Sequence, residues 1–555
     1  MWGMALPRRN LPRRNLPRRN LLRVAAAGSA AVLVGTAAAS SGRFRVPRWS
    51  DDPFTLGVAS GDPAPDGVVL WTRLAPDPFA PDGHGGMMNA PVSVDYEVAH
   101  DEQFRSVVQR GTAVATRELA HSVHPEVRGL EPDRWYFYRF RAGSVISPVG
   151  RTRTAPAPGQ AVERLRFAYA SCQSWSSGYY TAYEHLRAED VELVVHLGDY
   201  IYESSWRHGR LEDPRTLERG ESVDLPGYRL RYAQYKAEQP LRDAHAAFPW
   251  IVTFDDHEVD NNWAADHPGL GVDIYRLPPL FRGRKAAAFQ AMYEHQPLRL
   301  AQLPDGPSML LHRRFGWGDL AELTMLDTRQ YRDVQVCSEN VTADCPERFA
   351  TDRTILGARQ RDWLLAGLVS SPARWQILGN QVGMSQMDVD PGPGLTVSTD
   401  SWDGYVADRN LILGTAADRG VRNLVVITGD RHQNHAADLR RDHADPQSPV
   451  VAAEFTGTSI TTGGDGADVN DTGRRLLAAN PDLKFFNSQR GYVRVELDHR
   501  VWRNDFRVVP FVQRRGAPVH TRSTWVVEDG IPGVAEAARP AAPTTGLSAA
   551  PDGGG

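Results

Sequence analysis

The stretch VELVVHLGDYIYE, residues 191–203, combines the pattern of a buried strand with a cluster of polar side chains. Its apolar run ends at Gly198 and is followed at once by Asp199, Tyr202 and Glu203. A short continuous apolar run is typical of a strand that is covered on both faces. Ligand sites of open α/β sheets lie beyond the carboxyl ends of such strands. The polar residues here are therefore candidates for a functional site, although a single Gly-Asp is equally typical of a structural cap.

The same arrangement, an apolar run that ends in polar residues, recurs four more times. Helical stretches such as RKAAAFQAMYEH (284–295) and GARQRDWLLAGL (357–368) lie between these runs. Because strands buried on both faces need helices to cover them, we predict an α/β fold for residues 161–530. The four runs are RLRFAYASCQS (164–174), WIVTFDDHEVDNNW (250–263), RWQILGNQ (374–381) and NLVVITGDRHQNH (423–435).

The sequence on either side of this region has a different character. Residues 52–153 contain short alternating strands separated by turn clusters, which predicts an N-terminal β-sandwich. Within it, LEPDRWYFYRF (130–140) resembles the strand entry of a fibronectin type III module. Residues 154–160, TAPAPGQ, are predicted to be a linker. Residues 535–555 are rich in Ala, Pro and Gly, and we predict a disordered tail there.

The N-terminus repeats Leu-Pro-Arg-Arg-Asn three times and then becomes apolar. A basic region, a short apolar stretch and small residues at 37–39 are typical of an export signal. Arg18-Arg19 resembles the twin-arginine motif, so we predict a signal peptide over residues 1–39 that the twin-arginine (Tat) export machinery recognises. The protein would then be secreted or associated with the cell wall. The alternative is an uncleaved, disordered basic tail.

The charge of the chain argues against general binding to polyanions. The formal net charge is −4, and removal of the seven arginines in residues 1–39, with no acidic residue among them, leaves about −11. Such a protein gains no general attraction for nucleic acid or anionic lipid. We expect no nucleic-acid-binding surface, and we expect a monomer.

Three cysteines are present. Cys337 and Cys345 lie close together in a polar loop, and outside the cytoplasm this spacing favours a disulfide over two free thiols. Cys172 remains without a nearby cysteine. It is either a buried small apolar residue or a ligand or nucleophile.

Three polar clusters at strand ends offer metal-ligand chemistry. One contains Asp199, the second is DDHEVDNN (255–262), and the third is GDRHQNH (429–435). Carboxylates that are crowded together repel one another, and a multivalent cation removes this repulsion. Carboxylate and imidazole donors suit divalent and trivalent metals.

The order of these clusters resembles the binuclear metallophosphoesterases, which include the purple acid phosphatases. That pattern has an acidic residue after the first strand, Gly-Asp-x-x-Tyr, Gly-Asn-His-Glu, a His, and Gly-His-x-His. Here Cys172 replaces the first acidic residue, while Asp256 and Asp430 replace Asn and His. This variant is similar to the PhoD-type alkaline phosphatase family, and the similarity extends from about residue 52 to residue 530. Further similar motifs are FTLGVASGDP (54–63), LDTRQYRD (326–333), LGARQRDWL (356–364), SWDGY (401–405) and FTGTSI (455–460).

The resemblance implies a two-sheet metallophosphoesterase sandwich flanked by helices, preceded by a fibronectin III-like β-sandwich domain. It also implies Fe³⁺ and Ca²⁺ in one site. Cys172, Tyr202 and His432 suit the ferric ion, and Asp199 is placed to bridge the two metals as a catalytic residue. Asp256, Asp430 and, with weaker support, Asn380 suit calcium. His257 resembles a histidine that contacts phosphate, and its alternative role is to support a carboxylate. Glu258 and His435 are expected to be structural groups or to support the ligands without binding metal.

The predicted function is hydrolysis of phosphate monoesters and diesters by a hydroxide that the two metals activate. The alternative is a secreted phospholipase D that acts on phospholipids with the same metal site. A non-catalytic phosphate-binding or cell-wall module would predict loss of metal ligands, and every expected ligand is present.

Overall fold

The computed structural model describes residues 48–204, 220–269, 277–338 and 341–537. Within these ranges helices alternate with strands in the α/β region, which confirms the predicted mixed α/β class. The predicted signal peptide, residues 1–39, lies outside the described residues, as do residues 538–555 of the predicted tail.

The strands are numbered in chain order. The first twelve are β1 Val58–Ala64, β2 Gly67–Arg73, β3 Val92–Ala99, β4 Val107–Ala115, β5 Ser122–Val123, β6 Glu126–Arg128, β7 Trp135–Ala142, β8 Val145–Ile146, β9 Gly150–Arg153, β10 Arg164–Ala170, β11 Leu193–His196 and β12 Pro249–Val252. The others are β13 Arg313–Trp317, β14 Ala321–Met325, β15 Val341–Ala343, β16 Trp375–Asn380, β17 Thr396–Ser398, β18 Leu424–Thr428, β19 Asn434–Arg440, β20 Val450–Thr456, β21 Leu483–Asn487, β22 Arg490–Asp498, β23 Val501–Val509, β24 His520–Glu528 and β25 Ala535–Glu536.

The α-helices of the described ranges all lie after residue 180. They are α1 Thr181–Leu186, α2 Leu225–Lys236, α3 Gln239–Ala247, α4 Pro278–His295, α5 Gly357–Ser370, α6 Val406–Asp418 and α7 Asp471–Ala479. Asp224 directly precedes helix α2, and its carboxylate accepts a hydrogen bond from the Gly227 amide at 2.8 Å, as expected of an N-terminal cap. No helix in the described part of the chain is long and apolar enough to cross a membrane.

Two large sheets carry the strands that precede the polar clusters. One has the order β25-β24-β23-β22-β10-β11-β12-β1-β2-β5, with β6 beside β2, and its strands β10, β11 and β12 are parallel. The other has the order β13-β14-β16-β18-β20-β19-β21, and its strands β14, β16, β18 and β20 are parallel. Polar segments that follow parallel neighbours meet at one edge of each sheet.

A shared apolar core joins one face of each sheet. Side chains of the first sheet such as Phe167 and Val195 belong to the same buried cluster as Ile377 and Val425 of the second sheet. A second cluster packs helices α1 to α4 on the first sheet, and a third packs α5 and α6 on the second. At the edge where the polar clusters lie, Ser171 forms a parallel bridge with Ser459 and so joins the two sheets.

The N-terminal segment divides its strands between two sheets. A five-stranded sheet has the order β4-β3-β7-β8, with β9 beside β7. Strand β1 instead pairs with β12 of the large sheet and continues into β2, β5 and β6. The fibronectin-like topology and the boundaries at 52–153, 154–160 and 161–530 stay predictions.

Two further predictions concern the loop cysteines and the tail. Cys337 and Cys345 form a disulfide, as predicted. Ala535–Glu536, which we assigned to the start of the tail, instead form strand β25 against β24.

Candidate metal centre

The predicted ligands follow strands of both sheets at the same edge. Cys172 follows β10, Asp199 follows β11, and Asp256 follows β12, while Asp430 and His432 follow β18. Four of these residues have the left-handed backbone conformation that is uncommon for residues other than glycine: Cys172 at φ 58°, Asp199 at 55°, Asp430 at 63° and His432 at 55°. Such strained residues cluster at functional sites, where surrounding structure holds them in place.

Hydrogen bonds and one glycine hold these loops close together. The Cys172 amide donates to the Gly198 carbonyl at 3.1 Å. Gly198 has φ +112°, and a Cβ atom there would lie 2.5 Å from Cβ of Asp255, so only glycine permits this approach. The Glu258 carboxylate accepts hydrogen bonds from the amides of Asp199, Tyr200 and Asp255, which ties the loop after β11 to the loop after β12.

Two groups of donor atoms share one carboxylate. Ligand atoms of Cys172, Asp199 and His432 lie within 4.8 Å of one another, and so do those of Asp199, Asp256 and His257. Asp199 therefore lies where it could bridge two cations. Burial, followed by the charge of Asp199, raises the pKa of the Cys172 thiol well above its ordinary value.

Tyr202 lies against the first of these groups. Its hydroxyl donates to Oδ2 of Asp199 at 2.9 Å and lies 3.3 Å from Nε2 of His432. Burial, then the charges of Asp199 and Cys172, raises the pKa of Tyr202 well above its ordinary value. A thiol, a phenol, an imidazole and a carboxylate thus converge at one point.

His257 forms a buried pair with Glu203, which the sequence analysis counted among the candidate polar residues after Gly198 but did not assign a specific role. Nδ1 of His257 lies 2.7 Å from Oε2 of Glu203, and both side chains are buried. Burial alone would lower the pKa of His257, but Glu203, Asp256 and Asp199 together raise it well above its ordinary value. The position of Glu203 directly after Tyr202 was the only signal in the sequence.

Asp256 and Asp255 lie beside a fully buried arginine that we had not assigned to the site. Arg329 Nε donates to Oδ1 of Asp255 at 2.6 Å, and its Nη2 lies 3.8 Å from Oδ2 of Asp256. Nη1 of Arg329 donates to Oδ1 of Asp400 at 2.9 Å. Arg329 belongs to the motif LDTRQYRD (326–333), which the sequence analysis noted only for its resemblance to the family, and Asp400 directly precedes the motif SWDGY (401–405).

The structure gives Asn380 a hydrogen-bonding role. Its Oδ1 accepts from the Trp402 indole at 3.1 Å, and its Nδ2 donates to the Val382 carbonyl. Its assignment as a calcium ligand stays a prediction. Asp430 interacts electrostatically with Asp256. Burial raises the pKa of Asp430 to about 6, the charge of Arg431 opposes this rise, and the charge of Asp256 adds to it.

Two further residues, which the sequence did not indicate, contact the group formed by Cys172, Asp199 and His432 together with Tyr202. Thr462 Oγ1 lies 2.8 Å from the Tyr202 hydroxyl and 2.7 Å from the Cys172 carbonyl oxygen. The buried Arg490 donates to the His432 carbonyl at 2.7 Å. All three contacts connect segments that are more than 50 residues apart.

Comparison with known proteins identifies relatives of this chain. The family model for the PhoD-like phosphatase matches residues 167–506, and that for the N-terminal domain of PhoD-like phosphatases matches residues 37–156. The chain is 47% identical over 498 residues to alkaline phosphatase D of Bacillus subtilis (strain 168), covering 89% of this chain and 84% of the relative. It also matches a solved structure of PhoD with a TM-score of 0.85 and 46% identity, covering 89% of this chain and 93% of that one. These matches confirm the predicted resemblance, and this chain belongs to the PhoD-like phosphatase family.

Proposed function

We propose that this protein is a metal-dependent alkaline phosphatase that hydrolyses phosphate monoesters and diesters. The observation that carries the proposal is that Asp199 belongs to both groups of converging donor atoms. A carboxylate in this position can bridge two cations, and pairs of cations are used in phosphoryl-transfer sites to stabilise both the attacking and the leaving oxygens.

The donor atoms fit the proposed pair of Fe³⁺ and Ca²⁺. Cys172, Tyr202 and His432 offer sulfur, phenol and imidazole donors, which suit iron. Asp256 and Asp430 offer hard oxygens, which suit calcium. In addition, Oδ2 of Asp255 is buried and has no hydrogen-bond partner within the described ranges, so it is available to a cation.

The chain's own residues would orient and stabilise the phosphoryl group. Bound cations would supply neutralisation of the phosphoryl oxygens and acidification of a water molecule. Glu203 holds Nδ1 of His257 and favours its charged form, and that charge would offset the charge that develops on the phosphoryl oxygens. The short contacts of Glu258 keep the Asp199 and Asp255 loops together, so the site needs little rearrangement on binding.

The comparisons do not favour the alternative of a phospholipase D, since the curated relative is an alkaline phosphatase. Hydrolysis of p-nitrophenyl phosphate by the purified protein at alkaline pH is the first test. We expect activity that chelation removes and that iron with calcium restores. The Asp199→Asn variant should be inactive, while Asp243→Asn, which changes a partly exposed carboxylate paired with Arg187, should behave like the wild type. Release of choline from phosphatidylcholine without release of phosphate from p-nitrophenyl phosphate would contradict the proposal.

We also propose export by the twin-arginine pathway, which rests on the sequence of residues 1–39. Replacement of Arg18 and Arg19 by Lys keeps the charge but removes the motif, so the protein should remain inside the cell. Unchanged secretion of this variant would contradict the assignment of this arginine pair.

A further inference from the structure

Arg431 lies between two of the proposed ligands on the loop that follows β18. Its amide donates to the Gly429 carbonyl at 2.7 Å, and the residues on either side, Asp430 and His432, both have positive φ. This tight turn places Arg431 just beyond the carboxyl end of β18, between two residues proposed to bind metal.

The guanidinium of Arg431 packs against a glycine on the neighbouring loop. A Cβ atom on Gly383 would lie 3.4 Å from Nε and 3.7 Å from Nη2 of Arg431. Gly383 follows β16, which is the parallel neighbour of β18. The guanidinium is therefore placed between the carboxyl ends of two adjacent strands, and the side chain is partly exposed.

Arg431 differs in its partners from Arg329 and Arg332, the two arginines that pair with Asp400, and in its exposure from the buried Arg490. Arg329 and Arg332 are fully buried and both pair with Asp400. Arg431 forms no ion pair with a carboxylate anywhere in the described part of the chain, although its charge lowers the pKa of Asp430 against the effect of burial. A partly exposed cation in a strongly acidic site that pairs with none of these acids is suited to an anion that arrives from solution.

We propose that Arg431 binds the phosphoryl group of the substrate and favours phosphate monoesters over diesters. The inference rests on the proposed function. A guanidinium presents two N–H groups in a planar fork that matches two oxygens of a phosphate. At alkaline pH a monoester carries two negative charges on its non-bridging oxygens and a diester carries one, so the monoester gains more from the added cation.

The test compares two substrates with the same leaving group in three variants. In Arg431→Ala we expect kcat/KM for p-nitrophenyl phosphate to fall roughly 10-fold or more, because a hydrogen bond between charged groups is lost. The value of kcat/KM for bis(p-nitrophenyl) phosphate should fall by much less. The affinity for inorganic phosphate, measured by calorimetry, should fall in parallel. Arg431→Lys should recover part of the loss because it keeps the charge but not the fork. Arg419→Ala, which removes an exposed arginine at the end of α6, is the matched control and should leave both substrates unaffected.

Several results would overturn the inference. Equal losses for both substrates, or an unchanged affinity for inorganic phosphate, would show that Arg431 does not distinguish the phosphoryl groups. Loss of iron or calcium from Arg431→Ala would show that it supports the ligands instead. A wild-type protein that hydrolyses neither substrate would contradict the proposed function itself, so the two failures are distinguishable.

Discussion

The hydroxyl of Tyr202 lies 3.3 Å from Nε2 of His432, although 230 residues separate them in sequence. Tyr202 follows β11 in one large sheet, and His432 follows β18 in the other. The two sheets therefore deliver donor atoms to one point, and the contacts of Thr462 and Arg490 hold the two loops there. This relationship explains why the site needs both sheets.

The first prediction concerns colour. A thiolate and a phenolate bound to Fe³⁺ give charge-transfer absorption in the visible range, so the purified protein should be coloured. Cys172→Ala should lose the band, because the site loses its thiolate donor and with it the bound iron. Absorption spectra and iron contents of both proteins, after equal exposure to iron and removal of the excess, provide the measurement. A wild type that holds iron but absorbs no visible light would contradict the assignment of Cys172 and Tyr202 as ligands.

The second prediction concerns the pH dependence of activity. Burial lowers the pKa of His257, but Glu203 is the largest of the charges that raise it, so His257 keeps its proton to higher pH. In Glu203→Gln the pKa of His257 should fall, and the alkaline limb of the kcat/KM profile should move to lower pH. Glu192→Gln is the control, because Glu192 is also buried but pairs with Arg166 before β11 begins. An alkaline limb that stays in place in Glu203→Gln would show that His257 does not act in its charged form.

The third prediction concerns the Cys337–Cys345 disulfide. Replacement of both residues by Ser removes a constraint on the unfolded chain, and closure of such a short loop is worth about 2–3 kcal/mol. The free energy of unfolding in urea should fall by this amount, while the metal content of the folded protein stays the same. Loss of iron from this variant would show that the disulfide loop contributes to the metal site.

The fourth prediction concerns Arg329, which is fully buried between Asp255 and Asp400. Arg329→Met leaves these carboxylates without their cation, which should cost roughly 3–5 kcal/mol of stability. Calcium should recover part of this loss, because it would neutralise Asp255 and Asp256. Arg422→Met removes an exposed ion pair with Asp529 and should cost only about 0–1 kcal/mol. Urea unfolding with calcium and with a chelator gives the comparison, and an equal loss in both conditions would contradict a cation site at these carboxylates.

Much of the site could be predicted from the sequence because each donor follows an apolar strand directly. The pattern of VELVVHL followed by Asp199 marks both the end of β11 and the start of the polar loop. The same rule located Cys172, Asp256 and Asp430. This local pattern was sufficient to predict that these residues lie close together, because neighbouring parallel strands end at the same edge of a sheet.

The remaining features depend on contacts between distant segments, which local patterns do not encode. Glu203 and His257 are 54 residues apart, and Thr462 reaches Tyr202 across 260 residues. Asn380 ends a strand as the donors do, yet its amide oxygen accepts a hydrogen bond from Trp402. The pairing of β1 with β12 joins the N-terminal segment to the large sheet, and nothing in the alternation of either strand specifies that partner.

The most direct test of the account is the metal content of protein purified through its native export route. We expect iron and calcium in stoichiometric amounts in the wild type. Cys172→Ala should lose iron and keep calcium, Asp430→Asn should lose calcium and keep iron, and Asp199→Asn should lose both, because Asp199 belongs to both groups of donor atoms. A wild type without iron and calcium, or an Asp199→Asn variant that retains both, would contradict the shared-carboxylate site.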